Sequence, residues 1–373
     1  MYTEKELVGI AKRENNAMRS YLVVNRLQGK HVPADPEAVL TLFGELAKCV
    51  AEAYQGERLL LIGFAETATA IGAALAVQLD TLYMQTTREQ IEGVEYLYFS
   101  EEHSHATEQK LIKTDLDKII GGIDRIVFVE DEVTTGNTVL NIIDVMEKQY
   151  DNHLHFSVAS LLNGMAPEHE KAFANRDIDT LYLVKTEHSR YTEIAEKYLG
   201  DGKYVSCGIG ERTEKLRVLE MDGAQNARRL VKGKSYAAAC ENLWEQTKSR
   251  TAFDKEEKIL VIGTEEFMYP AIFVAEKIKQ SGNTVKCHAT TRSPIAVSSE
   301  EEYPLQVRYE LASLYDRERR TFLYNIETYD KVLVITDAVN EEQEGIASLV
   351  NALRGAGNEE IYLVRWCEDA KLV

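Results

Sequence analysis

The residue types best suited to chemistry lie between Ile126 and Ile143, in the run IVFVEDEVTTGNTVLNII. An apolar stretch ends in two adjacent carboxylates, Glu130 and Asp131. Two residues later a loop of hydroxyls and glycine, Thr134-Thr135-Gly136-Asn137-Thr138, opens a helix-like segment. A helix start offers unpaired amide N–H groups and the positive end of the helix dipole, which suits a phosphate monoester. Gly136 permits the left-handed backbone that lets successive amides converge, and the threonine hydroxyls add donors. The carboxylates can accept hydrogen bonds from vicinal hydroxyls or hold a metal ion, directly or through water. Together these groups describe a site for a sugar phosphate at the carboxyl end of a parallel strand, where open α/β sheets take their ligands. A plain helix N-cap explains Thr134 or Thr135 but not the ordered set.

Such a site needs a sheet to carry it. Short β-branched runs alternate with longer helix-like stretches, the pattern of an α/β fold with a largely parallel, doubly wound sheet. Strands are expected at Arg58 to Gly63, Asp80 to Met84, Arg125 to Glu130, Leu154 to Leu162 and Asp179 to Val184. Their near-continuous apolar character requires burial on both faces. The second half repeats the first. KILVIGTEEFMYPAIFVAEKIKQ mirrors RLLLIGFAETATAIGAALAVQ, Thr290-Thr291-Arg292 mirrors Thr86-Thr87-Arg88, and KVLVITDAVN mirrors RIVFVEDEVT. The spacing agrees as well: Arg88 to Asp131 is 43 residues and Arg292 to Asp337 is 45. Three matches in order argue for two related domains. The expected division is 1–206, a connector 207–234, and a second, degenerate α/β copy at 235–373.

Length and charge agree with this reading and remove others. A chain of 373 residues fits two domains of ordinary size. A net charge of -18 repels nucleic acid and anionic lipid, so neither is an expected partner. No apolar run is long enough for a membrane span, and the first residues lack a signal peptide's apolar region. Five scattered cysteines without CxxC spacing point to free thiols and a cytoplasmic location.

The run from Ile126 to Thr138 resembles the signature of type I phosphoribosyltransferases: four apolar residues, two acids, two variable positions, then Thr-Thr-Gly-x-Thr. The resemblance implies that Glu130 and Asp131 bind the ribose hydroxyls of 5-phosphoribosyl 1-diphosphate (PRPP). It places the 5′-phosphate on Thr134, Thr135, Gly136, Asn137 and Thr138, and Mg²⁺ through PRPP near Glu130 and Asp131. Thr134 stands where hypoxanthine-type members carry an aspartate, as in the orotate type. Glu66 and Thr67, after the first strand, occupy the place of the family's pyrophosphate loop, although a capped helix start explains them equally well. Arg88 stands where orotate-type enzymes hold an arginine near pyrophosphate, a role that suits its bidentate fork. The polar stretch from Tyr98 to Leu111 lies where the family has a mobile catalytic lid. There His103, His105 and Lys110 are candidates for contacting pyrophosphate or moving a proton. A His-x-His metal site and an ordinary surface loop are the other readings. Lys30 and His31 either recognise the acceptor or belong to a turn.

The tetrad Thr291-Arg292-Ser293-Pro294 resembles the TRSP domain, which follows phosphoribosyltransferase-like domains encoded in bacterial tellurite-resistance and stress gene neighbourhoods. In this copy Asp337 matches Asp131, but Thr336 replaces Glu130 and no Thr-Gly-x-Thr follows. Losing two or three charge-assisted hydrogen bonds, at about 1.5–3 kcal/mol each, removes several powers of ten in affinity. Thr291, Arg292, Ser293 and Asp337 are left to bind a different anion, to pack against the first domain's site, or to serve structure alone. The resemblance as a whole implies a Mg²⁺-dependent enzyme of nucleotide-related or stress metabolism. It would move ribose 5-phosphate between PRPP and a nitrogenous acceptor and release pyrophosphate. A PRPP-sensing protein without turnover would use the same groups. Many relatives of that family dimerise, which makes a homodimer an expected assembly.

Overall fold

The computed structural model describes residues 2–14, 19–99, 109–150, 154–209, 216–339 and 343–367. The chain divides into two compact units, each assembled from segments distant in sequence. Thr41–Glu187 and Gln225–Ala238 build the first. Thr3–Leu40, His188–Ala224 and Ala239–Val373 build the second. This is not the linear partition expected from the sequence, because Thr3–Leu40 groups with the second copy.

The first unit is organised on a six-stranded sheet. Its order is Val231–Lys232, Leu82–Gln85, Leu59–Gly63, Arg125–Val133, His155–Asn163 and Asp179–Lys185. All neighbours run parallel except the first pair. The Leu59–Gly63 strand is buried at every position, which is why its sequence shows no polar alternation. Helix Asn137–Gln149 buries Val139, Ile142, Ile143 and Met146, one face at helical spacing. Helix Thr69–Leu79 is apolar on nearly all sides and packs closely on the sheet. A Cβ on Gly72 would come within 2.7 Å of the Tyr83 ring. Tyr83 uses that room to donate its hydroxyl to Thr69 O at 2.7 Å, tying strand to helix start.

The central strand runs further than the apolar pattern suggests. It continues through Glu130 and Asp131 to Val133, because the backbone stays paired with its neighbour as far as Val133 and Asn163. Side-chain polarity marks where the core ends, not where the ladder ends.

The second unit holds a five-stranded parallel sheet in the order Arg217–Met221, Ile361–Trp366, Lys331–Thr336, Lys258–Gly263 and Thr284–Ala289. Its last four strands repeat the order of the first sheet's inner four. Among the described residues, no helix is long and apolar enough to cross a membrane.

The stretch read as a connector is structural in both units. Arg217–Met221 forms one edge of the second sheet. Residues 225–234 cover an edge of the first: Gln85 N donates to Ala227 O at 2.9 Å and Gly233 N to Thr81 O at 2.8 Å. The N-terminal segment does the same for the second sheet, where Ala34 and Cys287 exchange backbone bonds at 2.8 and 2.9 Å. Covering an edge satisfies donors and acceptors that would otherwise seek another chain.

Asp115 anchors the first of these straps. Its buried carboxylate takes two bonds from Arg229 and one from Leu230 N. Hydrogen bonding by Arg229 holds its pKa well below the carboxylate range. The pairing therefore stabilises above the unfolded carboxyl's titration and is lost as pH falls through the depressed value. We expect Arg229→Ala to cost about 1–3 kcal/mol at neutral pH, discounted because the guanidinium is 37% exposed. Hydrogen exchange should show faster exchange at Gln85, whose amide depends on the strap. An unchanged melting temperature and unchanged Gln85 protection would mean that the strap is not fixed by this pair.

Candidate active site

The central strand delivers Glu130 and Asp131, both half-buried, to the carboxyl edge of the first sheet. The chain then turns through Thr134 and Thr135 into Gly136, the residue before helix Asn137–Gln149. Gly136 has φ 72°, and a Cβ there would lie 2.4 Å from the Phe173 ring. Conformation and space both require glycine at this point. No side chain caps the helix. Asn137 N donates to Thr135 Oγ1 at 3.3 Å, within the loop itself. The arrangement leaves a half-buried loop of hydroxyls and amides at the positive end of a thirteen-residue helix.

Asp131 is linked to the loop after the first strand. Thr67 donates its hydroxyl to Asp131 Oδ1 at 2.8 Å. Burial pushes the Asp131 carboxyl above its usual range, the neighbouring Glu132 charge adds to this, and the Thr67 bond opposes it. Neither Glu66 nor Thr67 caps the following helix, whose N-cap is Ala68 without a side-chain bond. The capped-helix explanation of these residues is therefore not what the structure contains: Thr67 is turned toward the acid.

Two residues that were not among the expected site residues hold this loop. Ala65 N donates to Thr86 Oγ1 at 2.8 Å, Thr86 donates to Gln109 Oε1 at 2.5 Å, and Gln109 Nε2 returns to Ala65 O at 2.6 Å. Thr86 and Gln109 are both buried. The ring clamps both polar groups of the Ala65 backbone, and the peptide joining Ala65 to Glu66 is cis. Thr86 had a signal, since Thr290 repeats it. Gln109 had none, because its partners are 23 and 44 residues away.

Arg88 lies half-buried just beyond this clamp, following Thr87, which exchanges backbone bonds with Lys110. Lys110, expected in the lid, belongs to a strand: Tyr96–Phe99 pairs with Gln109–Ile112. Its ammonium donates to Gln90 Oε1 at 2.8 Å and sits 4.7 Å from the centre of the Tyr96 ring. His103 and His105 lie outside the described residues.

Other candidates are grouped elsewhere. Lys30 and His31 are buried in the second unit, where the Lys30 ammonium donates to Glu265 O at 2.8 Å and Thr290 O at 3.0 Å. That position gives Lys30 a backbone-clamping role in its own unit. Thr291 Oγ1 accepts from Ser293 N at 3.2 Å. Arg292 is held by Glu265 and Glu266, and Asp337 accepts from the Tyr315 hydroxyl. Among the described residues no group of three His, Cys, Asp or Glu side chains is placed to hold a metal ion.

Comparison with known proteins adds a family. Residues 7–187 match the family described as phosphoribosyl transferase, and residues 226–353 match the TRSP domain C-terminal to it. No curated protein matches. Among solved structures, adenine phosphoribosyltransferase from Rhodothermus marinus is 14% identical over 49% of this chain and 96% of its own, with a TM-score of 0.35. The enzyme of the same name from Thermoanaerobacter pseudethanolicus is 17% identical over 49% and 97%, with a TM-score of 0.34. That from Giardia lamblia, complexed with 9-deazaadenine, is 13% identical over 49% and 95%, with a TM-score of 0.33.

The raised Asp131 pKa has a consequence for stability. A carboxyl that binds its proton more tightly in the folded state contributes stability at low pH, and that contribution is lost as pH rises through the folded value. At pH 7 the Asp131 carboxyl thus weighs against folding. Asp131→Asn keeps an oxygen for Thr67, removes the charge beside Glu132, and should raise the melting temperature at pH 7. The expected gain is on the order of 2–4 °C, what about 1 kcal/mol produces at this size. The gain should vanish near pH 3. An Asp131→Asn variant that is less stable than the parent at pH 7 would show that the acid is satisfied as a charge.

Proposed function

From a chain that belongs to the phosphoribosyl transferase family through residues 7–187 and carries the TRSP domain behind it, we infer a PRPP-dependent transferase acting on a nitrogenous acceptor. The observation that carries this reading is the joined pair of loops at the carboxyl edge of the first sheet. An acidic strand end runs into a glycine-started helix, and Thr67 ties the neighbouring loop to Asp131.

In this reaction the bond from the ribose anomeric carbon to pyrophosphate breaks and a bond from the same carbon to the acceptor nitrogen forms. The sugar carries oxocarbenium-like charge between the two, as in glycoside cleavage. The loop of Thr134 to Thr138 holds the 5′-phosphate by amides and hydroxyls. Glu130 and Asp131 accept from the ribose hydroxyls and orient the ring. The Ala65–Thr67 backbone, held by Thr86 and Gln109, together with Arg88 and Lys110, receives the departing pyrophosphate.

The residues fit a divalent cation that arrives with substrate. Mg²⁺ commonly takes one or two carboxylates and completes its shell with phosphate oxygens and water, so the acidic pair is a sufficient protein share. Glu130 and Asp131 would hold it, and when bound it supplies charge neutralisation for pyrophosphate.

Calorimetry with Mg²⁺ and PRPP tests the phosphate loop. Thr135→Val or Gly136→Val should reduce PRPP affinity at least a hundredfold, the loss expected when a charge-assisted bond or the loop conformation goes. Affinities within about threefold of the parent would remove the assignment. Pyrophosphate release with a panel of nitrogenous bases would name the acceptor class. In the same assay His105→Ala should lower turnover more than PRPP affinity, the mark of a contact made mainly in the transition state.

A further inference from the structure

The second unit repeats the first closely enough for its groups to be matched by hydrogen bonds. Thr290 N donates to Gly263 O at 3.1 Å, as Thr86 N does to Gly63 O at 3.0 Å. Glu265 N donates to Thr290 Oγ1 at 3.0 Å, as Ala65 N does to Thr86 Oγ1 at 2.8 Å. Lys30 takes the place of Gln109 on the following carbonyl. Thr291 bridges Phe322 as Thr87 bridges Lys110. Lys331 pairs with Ile259 as Arg125 does with Leu59, so Asp337 falls at the register of Asp131. Glu265 therefore stands where the first unit has Ala65, and Arg292 where it has Arg88. The hairpin Val307–Ala312 with Arg320–Tyr324 stands where the first unit has the hairpin rooted at Gln109.

With the register set, the differences are informative. The Glu265 side chain, 2% exposed, turns into the edge of its own unit. It accepts from Arg292 Nε at 2.5 Å and from Arg319 Nη1 at 2.9 Å on one oxygen, and from Ser313 Oγ on the other. Tyr315 donates to Asp337 Oδ1 at 2.6 Å and meets the Thr264 hydroxyl at 2.6 Å. Ser313, Tyr315 and Arg319 all lie on the loop that closes the second hairpin. Two guanidinium groups and a hydroxyl converging on one carboxylate form the donor set that binds phosphate and carboxylate anions.

We propose that Arg292, Arg319 and Ser313 form an anion site in the second unit whose occupant is the chain's own Glu265 carboxylate. Tyr315 stands on Asp337 as a sugar hydroxyl would stand on Asp131, a correspondence that rests on the function inferred for the first unit. The occupant is tethered, so an external anion competes against a carboxylate at high effective concentration. Latched at Ser313, Tyr315 and Arg319, the loop stays shut over the edge. The copy is closed by side chains in the positions of a ligand, and so keeps Arg292 although its phosphate loop is gone.

The test uses inorganic pyrophosphate and the full-length chain. Glu265→Ala leaves two largely buried guanidinium groups without that carboxylate, so its melting temperature should fall and be restored by pyrophosphate in a concentration-dependent way. Calorimetry should show pyrophosphate binding at least about tenfold tighter than any second site of the parent, and the gain should disappear when Arg292→Ala is added. Glu265→Gln keeps the shape, should fold if the alanine variant does not, and should show a smaller gain of the same kind. A folded Glu265 variant that gains no pyrophosphate binding would overturn the proposal. So would a parent chain that already binds a second equivalent through Arg292. Failure of the first unit's function is separate: it would appear as a parent that binds no pyrophosphate through Arg88, while the Glu265 gain is scored against that parent.

Discussion

The parallel register between Leu59–Gly63 and Arg125–Val133 is the constraint on which the first unit depends. Gly63 sits opposite Val129, and Phe64 N continues the ladder to Val129 O at 3.1 Å. That pairing brings two loops 64 residues apart to one edge, close enough for Thr67 to reach Asp131. A slip of one residue would exchange the faces that Glu130 and Asp131 present and carry Asp131 out of reach of Thr67. The burial of every residue in Leu59–Gly63 opposes such a slip, because each side chain would have to be repacked against a different buried face, at about 1–3 kcal/mol for a poor fit.

Edges impose a second requirement, and the chain meets it by crossing its own sequence order. A parallel sheet built from crossovers ends in strands with open donors and acceptors. The first sheet is covered by residues that follow it by some 140 positions, the second by residues that precede it by some 250, as the pairs Gln85–Ala227 and Cys287–Ala34 show. Each unit is complete only with a segment that a linear cut would remove. Family resemblance and compact unit therefore divide differently: the match beginning at residue 7 includes a segment grouped with the second unit.

The two copies also differ at the position beside the arginine. In the first, that position is Ala65, which carries no charge, and the Thr-Thr-Gly-x-Thr sequence is present. In the second, the same position is glutamate, the loop sequence is gone, and the arginine is neutralised from within. Buried charges persist only when paired, so a copy without a ligand must supply its own counter-charge or lose its arginine. Lys30 in one unit and Gln109 in the other show a similar economy. Different donors meet the need of the same loop carbonyl.

Much of this was legible in the amino-acid sequence. The alternation of apolar runs and helical stretches set the fold class, the repeat set the existence of two copies, and the acidic strand end with its threonine-glycine loop marked the candidate site. Those signals are local: they depend on residues within one strand, turn or helix, where spacing maps directly onto geometry. Tertiary structure alone decided the rest. Gln109 became part of the Ala65 clamp, Lys30 became an anchor in the second unit, Arg229 reached across 114 residues to Asp115, and Glu265 filled an anion position. In each case a long polar side chain can satisfy itself in many ways, and nothing in its neighbours along the chain says which. Which partner it finds is set only when the sheet register brings a distant carbonyl, carboxylate or guanidinium within hydrogen-bonding distance in a place without water.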